Sequence, residues 1–415
     1  MLRKLWPLVL SAVALGINSY VIAGILPDIA ASLDVGEGQV GLGVTTFTAA
    51  YALTAPWLPG VLIRTGTTRR ALLITLVAFV AGSAITAVSP SLWVFLASRA
   101  LAGAGAGTLT ALATGAAGAM MPERRARAMA MVTFGLSLGT VAGVPIGMLI
   151  AGGIGWRATM GLIVALGVIG LIAITSRGAT IPSLAHPAPT AKAAPSKTSS
   201  SGAFGLLAGG IVLAFLLGIA SLGLYTYLLP ITSSAGLGAW GFALVWAWGI
   251  GGVAGSWAAG RLLDHVDGRR LLIVSPVLLT AAFLTLWLTR AATAWLVATL
   301  IWGVAGWASV AIGQAAYTSV RPERSVQVVA WLMSAMYIGS ATGSALGSGI
   351  LATGSPAVVL PAWALVASGG AAVLATIATI TLRRRPASSE VRVSSHFSRL
   401  NRLCPRMDSN HRPTA

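Results

Sequence analysis

Pro122-Glu123-Arg124, followed by Gly139, Gly143 and Gly147, recurs as Pro322-Glu323-Arg324, Gly339, Gly343 and Gly347. The offset is 200 residues throughout, and other positions share it: Gly60, Arg69, Arg70, Leu72 and Gly103 return as Gly260, Arg269, Arg270, Leu272 and Gly303. One offset common to several motifs marks two related halves fused in the same direction. Each half then has to be a unit of about 200 residues built to one plan.

Composition says what kind of unit. The 415 residues are 56% hydrophobic and only 9% charged, with a mean hydropathy of +0.86. A soluble domain carries roughly 25% charged residues. Twelve apolar runs each approach the ~20 residues that a bilayer demands of a helix. They are 5–26, 39–63, 71–88, 92–118, 128–151, 157–175, 203–229, 239–262, 271–289, 293–318, 326–351 and 357–382. The first run follows Arg3-Lys4 but is too long for a signal-peptide core, and Pro27-Asp28 stands where a cleavage site would be, so it reads as an uncleaved span. The fold class is all-α membrane protein, with twelve transmembrane helices in two six-helix bundles related by a parallel repeat. The expected divisions are an N-terminal bundle (1–175), a Ser/Pro/Ala/Lys-rich cytoplasmic linker (176–202), a C-terminal bundle (203–382) and a basic, disordered cytoplasmic tail (383–415).

The net charge of +18 is a topology signal. Of the 27 Lys and Arg, 24 fall at one end of the alternating spans, Arg157 and Arg290 fall at the other, and Arg99 lies inside a span. The basic end is expected to be cytoplasmic, with both termini on that side of the cell membrane. Attraction to anionic membrane lipid follows, and nucleic acid is not an expected partner. The single cysteine, Cys404, and four histidines outside the apolar runs exclude an intramolecular disulfide and offer no metal site. No G-x-x-x-x-G-K sequence is present, and no constellation suggests an enzyme or a cofactor.

Three motifs narrow the reading. Gly24-Ile25-Leu26-Pro27-Asp28-Ile29-Ala30 ends the first span, Gly143-Val144-Pro145-Ile146-Gly147 lies in the fifth, and Gly155-Trp156-Arg157 follows it. With the two six-span halves, these make residues 1–385 resemble the major facilitator superfamily, in its twelve-span drug:proton antiporter branch of sugar-efflux and drug-resistance exporters. The resemblance implies a secondary transporter that exports a small-molecule substrate in exchange for protons by alternating access, as a monomer. An uncoupled facilitator for a sugar-like or amphiphilic solute is the alternative, and a non-transporting membrane receptor a third reading.

The resemblance also distributes roles. The family's loop G-x-x-x-D-R-x-G-R-R is matched by Gly260, Asp264, Gly268, Arg269 and Arg270, with one extra residue; the first copy keeps Gly60, Arg69 and Arg70 but has Arg64 in place of the acid. These loops are expected to latch one conformational state, or else to serve only as positive-inside turns. Gly135, Gly139, Gly143 and Gly147 step by four along one helix stripe, where small residues let another helix approach, and Pro145 removes a backbone donor. The resemblance ties that stripe to export. Arg99, followed by Gly103 and Gly105, stands where the family places an arginine used for proton transfer or in the cavity; a structural arginine snorkelling outward is the plainer alternative. Asn18-Ser19-Tyr20 occupies the place where many relatives carry an acid, which leaves Asp28 as the proton-carrier candidate or as a solvated helix end. Cavity candidates are Ser11 and Asn18, seven residues apart on span one; Trp307 and Gln314, likewise on span ten; and Tyr225 at the end of span seven, which cannot share a helix face with Tyr227. Ten of the 14 tryptophans lie in the second half, which suits an aromatic or amphiphilic substrate, with Trp240, Trp295 and Trp363 expected as interface anchors.

Overall fold

The computed structural model describes residues 2–121, 125–176, 181, 200–263, 265–318 and 325–383. The repeated Pro-Glu-Arg triplets, most of the linker, Asp264 and nearly all of the tail lie outside the described residues. Among those described, eleven helices are long and apolar enough to cross a membrane, and a bent pair supplies the twelfth span.

The first half holds α1 (Leu2–Gly24), α2 (Leu26–Leu33), α3 (Glu37–Thr54), α4 (Leu58–Thr65), α5 (Thr68–Ala87), α6 (Leu92–Met120), α7 (Arg125–Ile154) and α8 (Trp156–Ser176). The second holds α9 (Ser200–Leu217), α10 (Leu228–Ser234), α11 (Gly241–Leu263), α12 (Gly268–Leu271), α13 (Val274–Leu288), α14 (Ala292–Thr318), α15 (Ser325–Ala352) and α16 (Pro361–Arg383). Each expected span corresponds to one helix or one broken helix. The breaks have sequence causes. Pro56 separates α3 from α4, which are bent by 54°, and Pro59 sits in the first turn of α4. Pro27 sits in the first turn of α2 and Pro276 near the start of α13, positions where the missing N–H removes no interior helix bond. Among the described residues one segment is π-helical, Gly218–Gly223, which continues α9 and was not foreseen from the sequence.

The repeat is visible in the packing. A Cβ built on Gly139 would lie 2.1 Å from the Val13 carbonyl oxygen, and Gly135, Gly143 and Gly147 approach Val9, Ile17 and Val21 nearly as closely. The four-residue step in α7 thus matches a four-residue step in α1, against backbone carbonyls at Gly135 and Gly139 and against the Ile17 and Val21 side chains at Gly143 and Gly147. In the second half Gly339 of α15 repeats the contact, with its Cβ position 2.1 Å from the Phe215 carbonyl oxygen of α9. Gly103 and Gly303 do the same for α6 on α3 and α14 on α11, against the carbonyls of Phe47 and Trp248. Outward faces stay apolar: Val366, Val373, Ile377 and Ile380 of α16 are exposed along one stripe, as lipid-facing residues should be.

The turns at the basic end also correspond. Thr67 accepts a hydrogen bond from the Arg70 amide at 3.2 Å to cap α5, and Asp267 accepts from the Arg269 amide at 2.9 Å to cap α12. Arg69 donates to the Thr175 carbonyl at 2.7 Å, tying α5 to the end of α8. Arg269 lies 3.9 Å from the Asp267 carboxylate. Arg70, Arg270, Gly60 and Gly260 are exposed, whereas Gly268 is buried, with its Cβ position 3.2 Å from the Ala316 amide of α14.

At the opposite end, Gly155 takes φ +93, the left-handed region open to glycine, and turns the chain between α7 and α8. The next two residues exploit that turn. Trp156 is buried, and Arg157 donates to Ser32 Oγ at 2.6 Å and to the Ser89 carbonyl at 3.2 Å. Two tryptophans depart from expectation: Trp363 is half-buried against the core, with its indole N–H buried and without a hydrogen-bond partner. Trp295 is fully buried, its Nε1 donating to the Thr289 carbonyl at 3.0 Å, so it anchors a loop inside the bundle and not the membrane interface. Trp240 is exposed, in keeping with an interfacial position.

Candidate functional site

The two halves meet in a seam toward the end away from the basic loops. Ser344 Oγ of α15 donates to the Gly41 carbonyl of α3 at 2.8 Å, and Thr45 Oγ1 donates to the Ala341 carbonyl at 3.3 Å. Tyr227 closes the seam from the second half, its hydroxyl donating to the Ser344 carbonyl at 2.6 Å. Only small residues permit this approach, because a Cβ on Gly41 would lie 2.2 Å from the Tyr227 hydroxyl. Gly41→Leu is therefore expected to hold the seam apart in a folded protein. Maleimide labelling of a Thr45→Cys probe, in a Cys404→Ser background, should rise by about tenfold; unchanged labelling would show that the seam does not depend on Gly41.

Below the seam, Tyr20 of α1 reaches into the second half. Its ring lies 6.0 Å from Tyr225, 5.9 Å from Trp248 and 6.3 Å from Trp307. Tyr225 stacks on Trp248 at 3.9 Å. Tyr337 lines a cleft together with Tyr20 and in turn meets Tyr51, with those two rings 4.2 Å apart. Tyr20 lines two adjoining clefts of about 290 and 350 Å³, one reaching Ser19, Thr48 and Ser340, the other reaching Ser221, Ser309 and Met336. The π-helical segment forms one wall and is held by Trp302 Nε1 donating to Ser221 Oγ at 2.9 Å. The Tyr225 hydroxyl and the indole N–H groups of Trp248 and Trp307 are buried without a hydrogen-bond partner. An aromatic cage with unused donors is suited to a planar or amphiphilic ligand that carries acceptors.

Arg99 lies apart from the cage, within the first half, and is fully buried. Its guanidinium donates to the Asn18 side-chain oxygen, to the Asn18 carbonyl at 3.1 Å and to the Gly43 carbonyl at 3.4 Å. It also stands over the Phe47 ring at 4.3 Å. Asn18 Nδ2 continues the network to Ser83 Oγ at 3.1 Å. This burial excludes a snorkelling arginine. Among the described residues Arg99 is the one charged side chain in the buried core, and all of its partners are neutral.

The sequence-derived candidates therefore divide. Tyr225 and Trp307 come together in the cage, and Gln314 lines a neighbouring cleft, with its Nε2 3.4 Å from Met333 Sδ. Asn18 serves Arg99. Ser11 is spent locally, donating to the Pro7 carbonyl at 2.8 Å beneath Gly170. Asp28 is exposed in the first turn of α2, where a carboxylate suits the helix dipole, and it does not face the cage. Pro145 falls inside the continuous helix α7. Tyr20, Trp248, Tyr51 and Tyr337 were not among the candidates; the available signal was that Tyr20 points away from Asn18, two residues earlier on the same helix.

Known proteins place this architecture. A chloramphenicol resistance protein of Streptomyces lividans is 34% identical over 284 residues, 66% of this chain and 70% of its own. A probable sugar efflux transporter of Pasteurella multocida is 26% identical over 343 residues, 80% of this chain and 82% of its own. A bacterial homologue of the human lysosomal transporter Spinster, inward-facing and unoccupied, superposes with a TM-score of 0.72 at 15% identity over 92% of this chain and 98% of that one, a likeness of fold alone. The Major Facilitator Superfamily model matches residues 8–344. The chain, with this repeat, its twelve spans and an aromatic cluster between its halves, belongs to the Major Facilitator Superfamily, a family of multi-pass membrane transporters and not of enzymes.

Proposed function

We propose that the protein exports a small, uncharged, aromatic or amphiphilic molecule by alternating access, with its basic loops and both termini in the cytoplasm. The observation that carries this reading is the cage in which Tyr20 of the first half meets Tyr225, Trp248 and Trp307 of the second. A site shared between two bodies that move against each other is one whose occupancy can bias the movement. Closure of the seam beyond the cage corresponds to the cytoplasm-facing state. Relatives named for chloramphenicol resistance and for sugar efflux favour export over uptake.

The energy source divides two readings. Proton exchange, implied by the resemblance to antiporters, would use Asp28 as carrier and Arg99 as a fixed charge. A facilitator without proton coupling is favoured by one observation: among the described residues every carboxylate, from Asp28, Asp34 and Glu37 to Asp267, lies at a helix end or in a loop. Proteoliposomes with an imposed pH gradient separate them. Flux of chloramphenicol, a neutral dye and a sugar should be recorded together with internal pH for the wild type, Asp28→Asn and Trp248→Ala. Trp248→Ala is expected to cut flux of the aromatic compounds by about tenfold, and undiminished flux would remove the cage from the pathway. Proton movement that stops in Asp28→Asn establishes antiport, whereas flux indifferent to the gradient establishes the facilitator.

A further inference from the structure

The repeat duplicates a cleft as well as a motif. In the first half a cleft of about 290 Å³ lies between α1, α6 and α7, and three of its wall positions are Thr110, Thr114 and Thr133. The positions 200 residues later, Val310, Gln314 and Met333, line a cleft of about 490 Å³ between α9, α14 and α15. The location is the same and the chemistry is not. Three threonines are the polar residues of the first copy, while the second adds two soft methionines, Met333 and Met336, to the polar groups of Ser275, Ser309, Gln314 and Tyr317. It is also roomier. Gly313 replaces Ala113, and a Cβ at Gly313 would meet nothing within 4 Å.

Two groups in the larger cleft have nothing to bind. The Tyr317 hydroxyl and Ser275 Oγ both belong to its lining residues, both residues are 2% exposed, and neither polar atom has a hydrogen-bond partner. Gln314 is scarcely better served, its amide nitrogen facing only the weakly accepting sulfur of Met333 at 3.4 Å. Unused donors in an apolar wall weaken a fold unless something else takes them up. The cleft shares Leu217, Ser309, Val310 and Met336 with the cleft beside Trp248 and Trp307, so the two adjoin, and this one lies on the side of the basic end.

We propose that this second-half cleft is a ligand subsite for a neutral molecule with an apolar aryl or alkyl body and one carbonyl-type acceptor. Met333, Met336 and Leu213 hold the body, and the Tyr317 hydroxyl, seconded by Ser275, donates to the acceptor. No charged residue lines the cleft among the described residues, so an ion would lose its hydration there without replacement. The subsite rests on the transport reading for its role, as the chamber between the cytoplasmic face and the aromatic cage; its occupancy is independent of flux. In the first half the threonine-lined copy lacks both the space and the methionines for such a body.

Benzophenone is a direct probe, because its carbonyl is both the acceptor and the photoreactive group. The full chain is purified into lipid nanodiscs, irradiated with benzophenone and mapped by peptide mass spectrometry, with no gradient present. Adducts are expected on Met333 or Met336. Gly313→Leu, which fills the cleft at an open helical position, should lower them by about tenfold, and Tyr317→Phe by about threefold, with the melting temperature unchanged in both. Adducts confined to lipid-facing residues such as Val366 and Val373, or adducts at the methionines indifferent to Gly313→Leu, would overturn the subsite. Labelling as expected in a protein that carries no flux would sink the transport reading and leave the subsite standing; flux without labelling would do the reverse.

Discussion

Arg99→Met is expected to leave a folded protein that retains less than about a tenth of the wild-type flux. A charge inside hydrocarbon costs about 2.5–3.5 kcal/mol even on the insertion scale. Arg99 bears that cost with neutral partners only, in the carbonyls of Asn18 and Gly43, the Asn18 side chain and the Phe47 ring. Methionine is of similar length and apolar. The two carbonyls belong to helices and keep their intrahelical bonds, so the main loss is the donor to Asn18 Oδ1, about 1–3 kcal/mol. The two effects nearly cancel, which leaves the melting temperature close to that of the wild type. What disappears is a fixed positive charge among α1, α3 and α6, two residues along α1 from Tyr20 of the cage. Arg99→Lys is expected to restore little, because an ammonium cannot reproduce the fork that spans Asn18 and Gly43. Thermal melts and flux measured on the same preparation decide the matter. A collapsed melt would make Arg99 a structural residue, and preserved flux would make its charge irrelevant to transport.

The second large effect is on folding. Gly139→Leu should abolish the monodisperse protein, because its Cβ would sit 2.1 Å from the Val13 carbonyl oxygen and a backbone atom cannot swing away. Separating α7 from α1 there also undoes the contacts of Gly135, Gly143 and Gly147, at an expected cost of about 3 kcal/mol or more. Gly339→Leu, 2.1 Å from the Phe215 carbonyl oxygen, should fail in the same way in the other half. Gly153→Leu on the same helix as Gly139 is the control, since a Cβ there meets nothing within 4 Å. Size-exclusion profiles in detergent read all three. A well-behaved Gly139→Leu would mean that the α1–α7 contact is not needed for the fold.

These two residues mark how far the sequence could be read. The Gly139 stripe was legible because a four-residue step in small residues has one physical use in a membrane, which is close helix approach. The twelve spans were legible for the same kind of reason, since their lengths answer to bilayer thickness, whereas the break at Pro56 inside the expected span 39–63 was not anticipated. Arg99 was legible as an anomaly, but its partners were not. Ser11 and Asn18 do share a helix face, as their spacing requires, yet that face points into the first bundle, and the residue that reaches the other half is Tyr20. Polar residues were the natural markers of a cavity, and here their polarity is consumed in place, by the Pro7 carbonyl for Ser11 and by Arg99 for Asn18.

The sequence by itself determined an all-helical membrane protein made of two repeated halves, the positions of its helices, and the stripe along which α7 meets α1. Only the tertiary structure decided which helix faces look at the partner half, and hence the cage around Tyr20, the seam at Gly41 and Ser344, and the neutral surroundings of Arg99. The physical reason lies in the solvent. In water, the polar face of a helix announces which side is outside. In a bilayer, lipid and protein interior are equally apolar, so periodicity tells which residues share a face and not where that face points.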